Sequence, residues 1–374
     1  MIVQTPPMGW NTWNTFAGKL DEKLIMETAD AMVDLGYRDA GYKYVVLDDC
    51  WSLRSRSEEG ELVPDPEKFP HGIRYLADYV HSKGLLLGIY SCAGVRTCAN
   101  YPGSWGHEYR DARTFAEWQV DFLKYDYCNF PESADGKTAY LTMSMALRAS
   151  GRDILFSACN WGSDESWNWM RSVGAHMFRS TGDIFDNFNS MADIIRQQLP
   201  HYNANAAGCF NDTDMLTVGM YGQGNVGTGE AQTYDEYVTQ FAYWCASGAP
   251  LMIGGDVRSM DEDCRKLLQH KELIRINQDP ECRPLYPACK DYNHPTFLRQ
   301  LENNEFVIFT ANLTDGLKQS RIIFPDMGLP TNSGVSVDIT DVITGEHLGV
   351  FRDDFFARVP SHTCRVLRCK YVRD

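Results

Sequence analysis

The chain has 374 residues, of which 44% are hydrophobic and 23% charged, and its formal net charge is −15; this is an ordinary globular composition, long enough for one large domain and a small one. A nucleic-acid groove needs clustered Lys and Arg, and no such run occurs, so nucleic acid is excluded as a partner and a neutral substrate is expected. No apolar run approaches the roughly 20 residues of a membrane span, so no membrane association is expected either.

The opening residues, MIVQTPPMGW, lack the basic stretch and apolar core of a signal peptide. The expected location is therefore cytoplasmic, or secreted with the signal peptide absent from this sequence. Twelve cysteines are scattered without a CxxC pair, and the nine histidines form neither HxH nor HExxH. No metal or cofactor is expected on that pattern.

Short apolar runs then alternate with segments of helical period. The expected strands are Met8–Trp13, Tyr44–Asp49, Leu85–Tyr90, Phe122–Tyr127, Ile154–Ala158, His176–Arg179, Gly208–Asp212 and Pro250–Gly254. Helical patterns follow them at Asp21–Leu35, Ile73–Lys83, Arg113–Val120, Ala139–Ser150, Asp164–Val173, Phe188–Leu199, Tyr234–Ala246 and Asp261–Ile276. In the first of these, Leu24, Ile25, Ala29, Met32 and Leu35 recur at helical spacing and Gly36 ends the run. Eight strand–helix pairs predict an α/β fold, a (β/α)8 TIM barrel over residues 1–285. A doubly wound sheet would carry a glycine-rich turn after its first strand, and NTWNTF has no glycine. Beyond Pro284 the segments Phe306–Ala311, Arg321–Phe324, Val335–Asp338, His347–Val350 and Thr363–Arg368 predict a small C-terminal antiparallel β-sandwich over residues 286–374.

In such a barrel the polar residues at the C-terminal ends of the strands face the active site. Those ends carry Asp48, Asp49 and Trp51, then Lys124, Asp126 and Cys128, then Cys159, Asn160 and Trp161, then Arg179 and Asp183, and finally Asp212, Asp214 and Met215, with Trp10 and Trp13 from the first strand. One Asp at a strand end is as often a helix cap; five strand ends carrying such groups predict a site. Trp rings stack on the C–H face of a pyranose, and Asp, Lys and Arg bind hydroxyls. Glycoside cleavage needs two carboxyl groups about the anomeric carbon, and Asp126 and Asp183 are the expected pair. Lys124 lies two residues before Asp126 on the same strand face, where its charge would hold Asp126 ionised as a nucleophile. Taken singly, Lys124 is open to a purely structural pairing with a neighbouring carboxylate, and Trp10 and Trp161 to core packing.

At these residues the chain resembles glycoside hydrolase family 27, the melibiase-like family of α-galactosidases and α-N-acetylgalactosaminidases. The shared motifs run from PPMGWNTWN through YVVLDDCW, KGLLLGIYS, TCANYPGSWG, DFLKYDYC, FRSTGDI and NDTDML to APLMIGGDVRSM and INQD, in family order across the whole barrel. The resemblance implies a retaining enzyme without cofactor that removes terminal α-galactosyl groups from a galactose-containing oligosaccharide or a glycoconjugate. It implies Asp126 as nucleophile and Asp183 as acid/base, with the two carboxyls about 5–5.5 Å apart. Asp48 and Asp49 would grip the 4- and 6-hydroxyls and Lys124 the opposite edge. Arg179 and Asp214, beside Met215, would hold the 2-position, with Cys159 nearby and Trp10 and Trp161 as walls.

Departures from the family pattern bear on specificity. Asn160 stands where relatives carry Glu, or Ser in the GalNAc branch, which leaves α-N-acetylgalactosaminidase activity open; β-L-arabinopyranosidase activity is open too, although Asp49 in place of a longer Glu favours galactose. The resemblance implies a Cys98–Cys128 disulfide, whereas the partner of Cys50 is missing and a free thiol is expected there. The stretch 220–237 is longer than in plant-type members and is expected to shape the pocket rim or a homo-oligomer contact. It contains Gly222, Gly224 and Gly227 in GxGxxG spacing, but neither a first strand before it nor a helix start after it, so nucleotide binding is not expected. Asn211 and Asn312 match the glycosylation pattern by accident. A sugar-binding protein without activity would be expected to have lost Asp126 or Asp183, and a metal-dependent hydrolase lacks His ligands here.

Overall fold

The computed structural model describes residues 2–289, 291–329 and 332–373. Eight parallel strands build one sheet: β1 (Met8–Asn11), β2 (Tyr44–Val46), β3 (Leu86–Cys92), β4 (Phe122–Asp126), β5 (Leu155–Cys159), β6 (Met177–Arg179), β7 (Phe210–Asp212) and β8 (Leu251–Ile253). Neighbours follow chain order from β1 to β7, and β8 pairs with β1. The ring closes just past β7, where Leu216 bridges Ile253 in parallel and its N–H donates to the Met252 carbonyl over 2.7 Å. The expected barrel is formed.

Helices cover the outside for the reasons the pattern supplied. The helix Glu22–Asp34 starts where the Asp21 carboxylate accepts from Leu24 N at 2.7 Å, and it buries Leu24, Ile25, Ala29 and Met32. The helix Tyr234–Ser247 begins with a capping box between Thr233 and Glu236 and is buried on nearly all sides. Two expectations fail. In place of a helix over Asp164–Val173 there is only a 3₁₀ segment, Ser163–Asn168, because Asp164 and Glu165 adopt positive φ and break the α repeat. The run Asp261–Ile276 splits into Glu262–Leu268 and Lys271–Asn277, the second capped by the His270 side chain.

The C-terminal region is a sandwich of unequal layers. A six-stranded antiparallel sheet runs in the order β14 (His347–Phe351), β13 (Val335–Asp341), β16 (Cys364–Arg373), β11 (Glu305–Ala311), β10 (Thr296–Gln300) and β9 (Tyr286–Cys289). A two-stranded sheet of β12 (Lys318–Ile323) and β15 (Asp354–Val359) packs over one face through Ile322, Ala357, Ile308 and Leu367. The other face packs on the barrel: Phe297 and Phe309 lie against Tyr243 at centroid distances of 6.1 and 5.5 Å. Arg299, 1% exposed, donates to the Ile276 carbonyl and, on its own side, to that of Arg283. The central strands of the large sheet are thus packed on both faces, which anchors it to the barrel.

Candidate active site

The site is built where the strands end. Just beyond β2 the chain places Asp48 and Asp49, both buried. Asp48 Oδ2 accepts from Lys124 Nζ at 2.7 Å and from Asn11 Nδ2 at 2.8 Å, and its Oδ1 accepts from Asp49 N at 2.9 Å. Asp49 accepts from Cys50 N at 2.7 Å and from Ala99 N at 2.9 Å. Burial raises the Asp49 carboxyl above the ordinary range, although these amides work against the shift. Burial also works against the charge of Lys124, but the Asp48 carboxylate prevails and holds the ammonium protonated.

Register sets Tyr90 of β3 beside Lys124, and Cys92 beside Asp126. Asp126 closes β4; its Oδ1 accepts from Tyr127 N at 2.9 Å and its Oδ2 from the Tyr90 hydroxyl at 3.1 Å. Burial pushes the Asp126 carboxyl up to about 6, with Lys124 opposing. Cys98 and Cys128 are joined in a disulfide that ties the loop after β3 to the end of β4. Their sulfurs and the Asp126 carboxylate lie within 4.8 Å of one another, but sulfurs bonded to each other offer no thiolate to a metal ion.

Across the mouth, β6 ends in Arg179, which is 4% exposed. Its guanidinium reaches Asp214 Oδ1 at 2.9 Å and Asp183 Oδ1 at 2.9 Å. Asp214 Oδ2 accepts from Ile184 N at 2.7 Å, bracing the segment that carries Asp183, and the Asp214 carbonyl accepts from the Trp244 indole at 2.8 Å. The Asp183 side chain is 65% exposed. Its partial burial opposes ionisation, yet the Arg179 guanidinium wins and holds the carboxyl below the ordinary range. Asp126 and Asp183 open on one cavity of about 350 Å³, also lined by Trp13, Trp161, Cys159 and Met215, a volume suited to a small ligand.

Residues 5–279 match the family model described as alpha galactosidase A. Alpha-galactosidase 3 of Arabidopsis thaliana is 48% identical over 375 residues, covering 98% of this chain and 82% of that protein. The crystal structure of α-galactosidase I from Mortierella vinacea superposes with a TM-score of 0.91 at 34% identity, covering 98% of this chain and 97% of the other. That of the Saccharomyces cerevisiae α-galactosidase with raffinose gives 0.89 at 28%, covering 99% and 98%. The chain belongs to the alpha-galactosidase A family.

Set in this α-galactosidase-family pocket, the expected residues separate. Asp48, Asp49, Lys124, Asp126, Cys159, Trp161, Arg179, Asp183, Asp214 and Met215 all line it. Trp10 does not. It is fully buried, and its indole donates to the Gly255 carbonyl at 2.8 Å, so it belongs to the core. β1 stops at Asn11 and turns into the short helix Trp13–Phe16, which lifts Trp13 into the wall instead. Asn160 is also fully buried, donates to the Ser163 carbonyl at 2.9 Å and stays behind the wall while its neighbours Cys159 and Trp161 face the cavity. The expected charge pattern is corrected too: Lys124 pairs with Asp48, so burial of Asp126 prevails over the nearby ammonium. Burial thus raises the Asp126 carboxyl, while Arg179 lowers that of Asp183.

Two other expectations hold, on Cys50 and on the two asparagines. Cys50 is a buried free thiol, pushed up to about 11 by burial. The amides of Asn211 and Asn312 donate to Gln198 Oε1 at 2.6 Å and to the Gly316 carbonyl at 2.7 Å, and both residues are too buried to carry a glycan. Among the described residues no helix is long and apolar enough to cross a membrane. Asn225 and Val226 come from the stretch 220–237 expected at the rim, whereas Asn14, Tyr90 and Phe185 line the pocket without having been singled out. Tyr90 alone had a signal, as the polar residue closing the expected third strand.

Proposed function

We propose that this family member is a retaining exo-α-galactosidase acting on small galactose-containing oligosaccharides. The observation that carries the reading is that Asp126 and Asp183 share one cavity whose facing wall is the fixed Asp48–Asp49–Lys124 group. That wall presents carboxylate oxygens and an ammonium to hydroxyls, with Trp13 and Trp161 for the apolar ring face. In the first step an Asp126 oxygen attacks the anomeric carbon while Asp183 gives its proton to the departing oxygen. In the second, water attacks from the opposite face, Asp183 takes its proton, and the bond to Asp126 breaks; two inversions leave the configuration unchanged.

Asp183 must be protonated to begin, whereas the Arg179 guanidinium favours its ionised form. A bound sugar expels water from around Asp183, and its 2-hydroxyl engages Arg179 and Asp214. Both changes release Asp183 from the guanidinium and favour its neutral form. The raffinose-bound relative from yeast suggests the substrate class. The test is a side-by-side assay of p-nitrophenyl α-D-galactopyranoside, α-N-acetylgalactosaminide and β-L-arabinopyranoside, with the anomer of the first-formed sugar read by NMR. Preference for the α-galactoside with retention is expected. Preference for either rival, or inversion, would overturn the assignment.

A further inference from the structure

The GxGxxG segment has a place in this pocket. It folds inward and lays Asn225 and Val226 on the cavity wall next to Phe185. Two anchors hold it there. The amides of Asn225 and Val226 both donate to the Asn14 carbonyl, at 2.8 and 3.2 Å. Asp186, fully buried, donates its N–H to the Val226 carbonyl at 3.0 Å, and its carboxylate accepts from Gly222 N at 2.6 Å, Gln232 Nε2 at 3.1 Å and the Tyr237 hydroxyl at 3.0 Å. The glycines allow this path. A Cβ at Gly224, where φ is +79°, would stand 2.9 Å from the Asn14 carbonyl oxygen, and one at Gly227 would stand 2.1 Å from that of Gly222.

The loop is therefore fixed to the same short segment that bears Asp183. Asp183 delivers its proton to the glycosidic oxygen, so whatever lies beyond that oxygen must leave on this side of the pocket. Phe185, two residues further on, is 48% exposed, which leaves an aromatic face without cover at that point. Asn225 is exposed beside it, and its side-chain amide has no hydrogen-bond partner among the described residues. An uncovered ring next to an uncommitted amide is the pairing that binds a pyranose, through its C–H face and its hydroxyls.

We propose that Phe185 and the glycine loop form a leaving-group subsite for a second sugar ring, with Phe185 stacking on it and Asn225 bonding its hydroxyls. This rests on the galactosidase reading above. The test compares kcat/KM for raffinose, whose leaving group is a sugar, with that for α-D-galactosyl fluoride, whose leaving group is one atom. In Phe185→Ala and in Asn225→Ala the raffinose-to-fluoride ratio is expected to fall roughly 10-fold, the scale of one lost aromatic or polar contact. Phe185→Tyr should restore it, which separates stacking from damage to the fold. A wild-type enzyme inert to the fluoride overturns the galactosidase reading and the subsite with it. An active enzyme whose ratio moves less than twofold in both alanine variants overturns the subsite alone.

Discussion

The two walls of the pocket are built on different physics. On the side of β2 to β4 each acidic group is fixed by bonds: Asp48 has three donors and a side chain only 2% exposed, and Asp49 has two backbone amides. The Cys98–Cys128 disulfide, itself lining the cavity, ties the same wall together. Across the mouth, Asp183 is 65% exposed and held by one neighbour, Arg179, which it shares with Asp214. The first wall is preorganised to recognise a sugar whether or not one is bound. The second has an electrostatic state that a ligand can change, as the acid/base role proposed for Asp183 requires.

The largest effect that separates the walls is loss of the proposed nucleophile. Asp126→Ala is expected to lower kcat by roughly 10⁴-fold or more, as when one member of a covalent catalytic unit is removed. Added azide then reports the geometry. It should enter the space vacated by Asp126 and give β-galactosyl azide, whereas in Asp183→Ala it should attack the galactosyl-enzyme from the other face and give the α-azide. Full activity in Asp126→Ala, or the same anomer from both variants, would reverse or erase the roles given to the two walls.

The second effect is on stability and concerns the fixed wall alone. Lys124 and Asp48 are a buried pair at 2.7 Å. Replacing Lys124 by Met strands the Asp48 carboxylate and should cost about 3–5 kcal/mol by urea denaturation. Removing both charges in Lys124→Met/Asp48→Leu should recover most of it. A single variant within about 1 kcal/mol of wild type would show that Asn11 and the Asp49 amide suffice, and that this wall is less dependent on the ion pair than its geometry implies.

The fixed wall was also the more legible from sequence. Strand ends such as LDDCW and FLKYDYC carry their chemistry at the last positions, and a parallel barrel brings such ends to one rim whatever the loops do. Legibility failed where the chain leaves the regular repeat. Trp10 and Trp13 differ by three positions, and only the early end of β1 decides which one faces the sugar. Asn160 and Trp161 are adjacent, and the positive φ of Trp161 and Gly162 turns one out and keeps the other in. The missing helix after β5 follows from the same kind of local conformation at Asp164 and Glu165, which helical periodicity does not register. Spacing put Lys124 and Asp126 on one face, but it could not reveal that Asp48, from another strand, takes the ammonium.

That last point leads to the smallest of the three effects, on pH dependence. Turnover needs one proton on the Asp126–Asp183 pair, and the two carboxyls titrate as a unit. Burial lifts Asp126 to about 6, while Arg179 keeps Asp183 below the ordinary range. As pH rises through 6 the pair loses its one proton, the acid needed for the first step disappears, and kcat/KM should fall about tenfold for each further pH unit. As pH falls below the ordinary carboxylate range the second carboxylate is neutralised and attack fails, so the profile is a bell on the acid side of neutrality. A kcat/KM that stays flat from pH 5 to 8 would mean that the free enzyme already keeps Asp183 protonated there. The contrast between a fixed wall and a ligand-set wall would then be wrong at the one residue on which it depends.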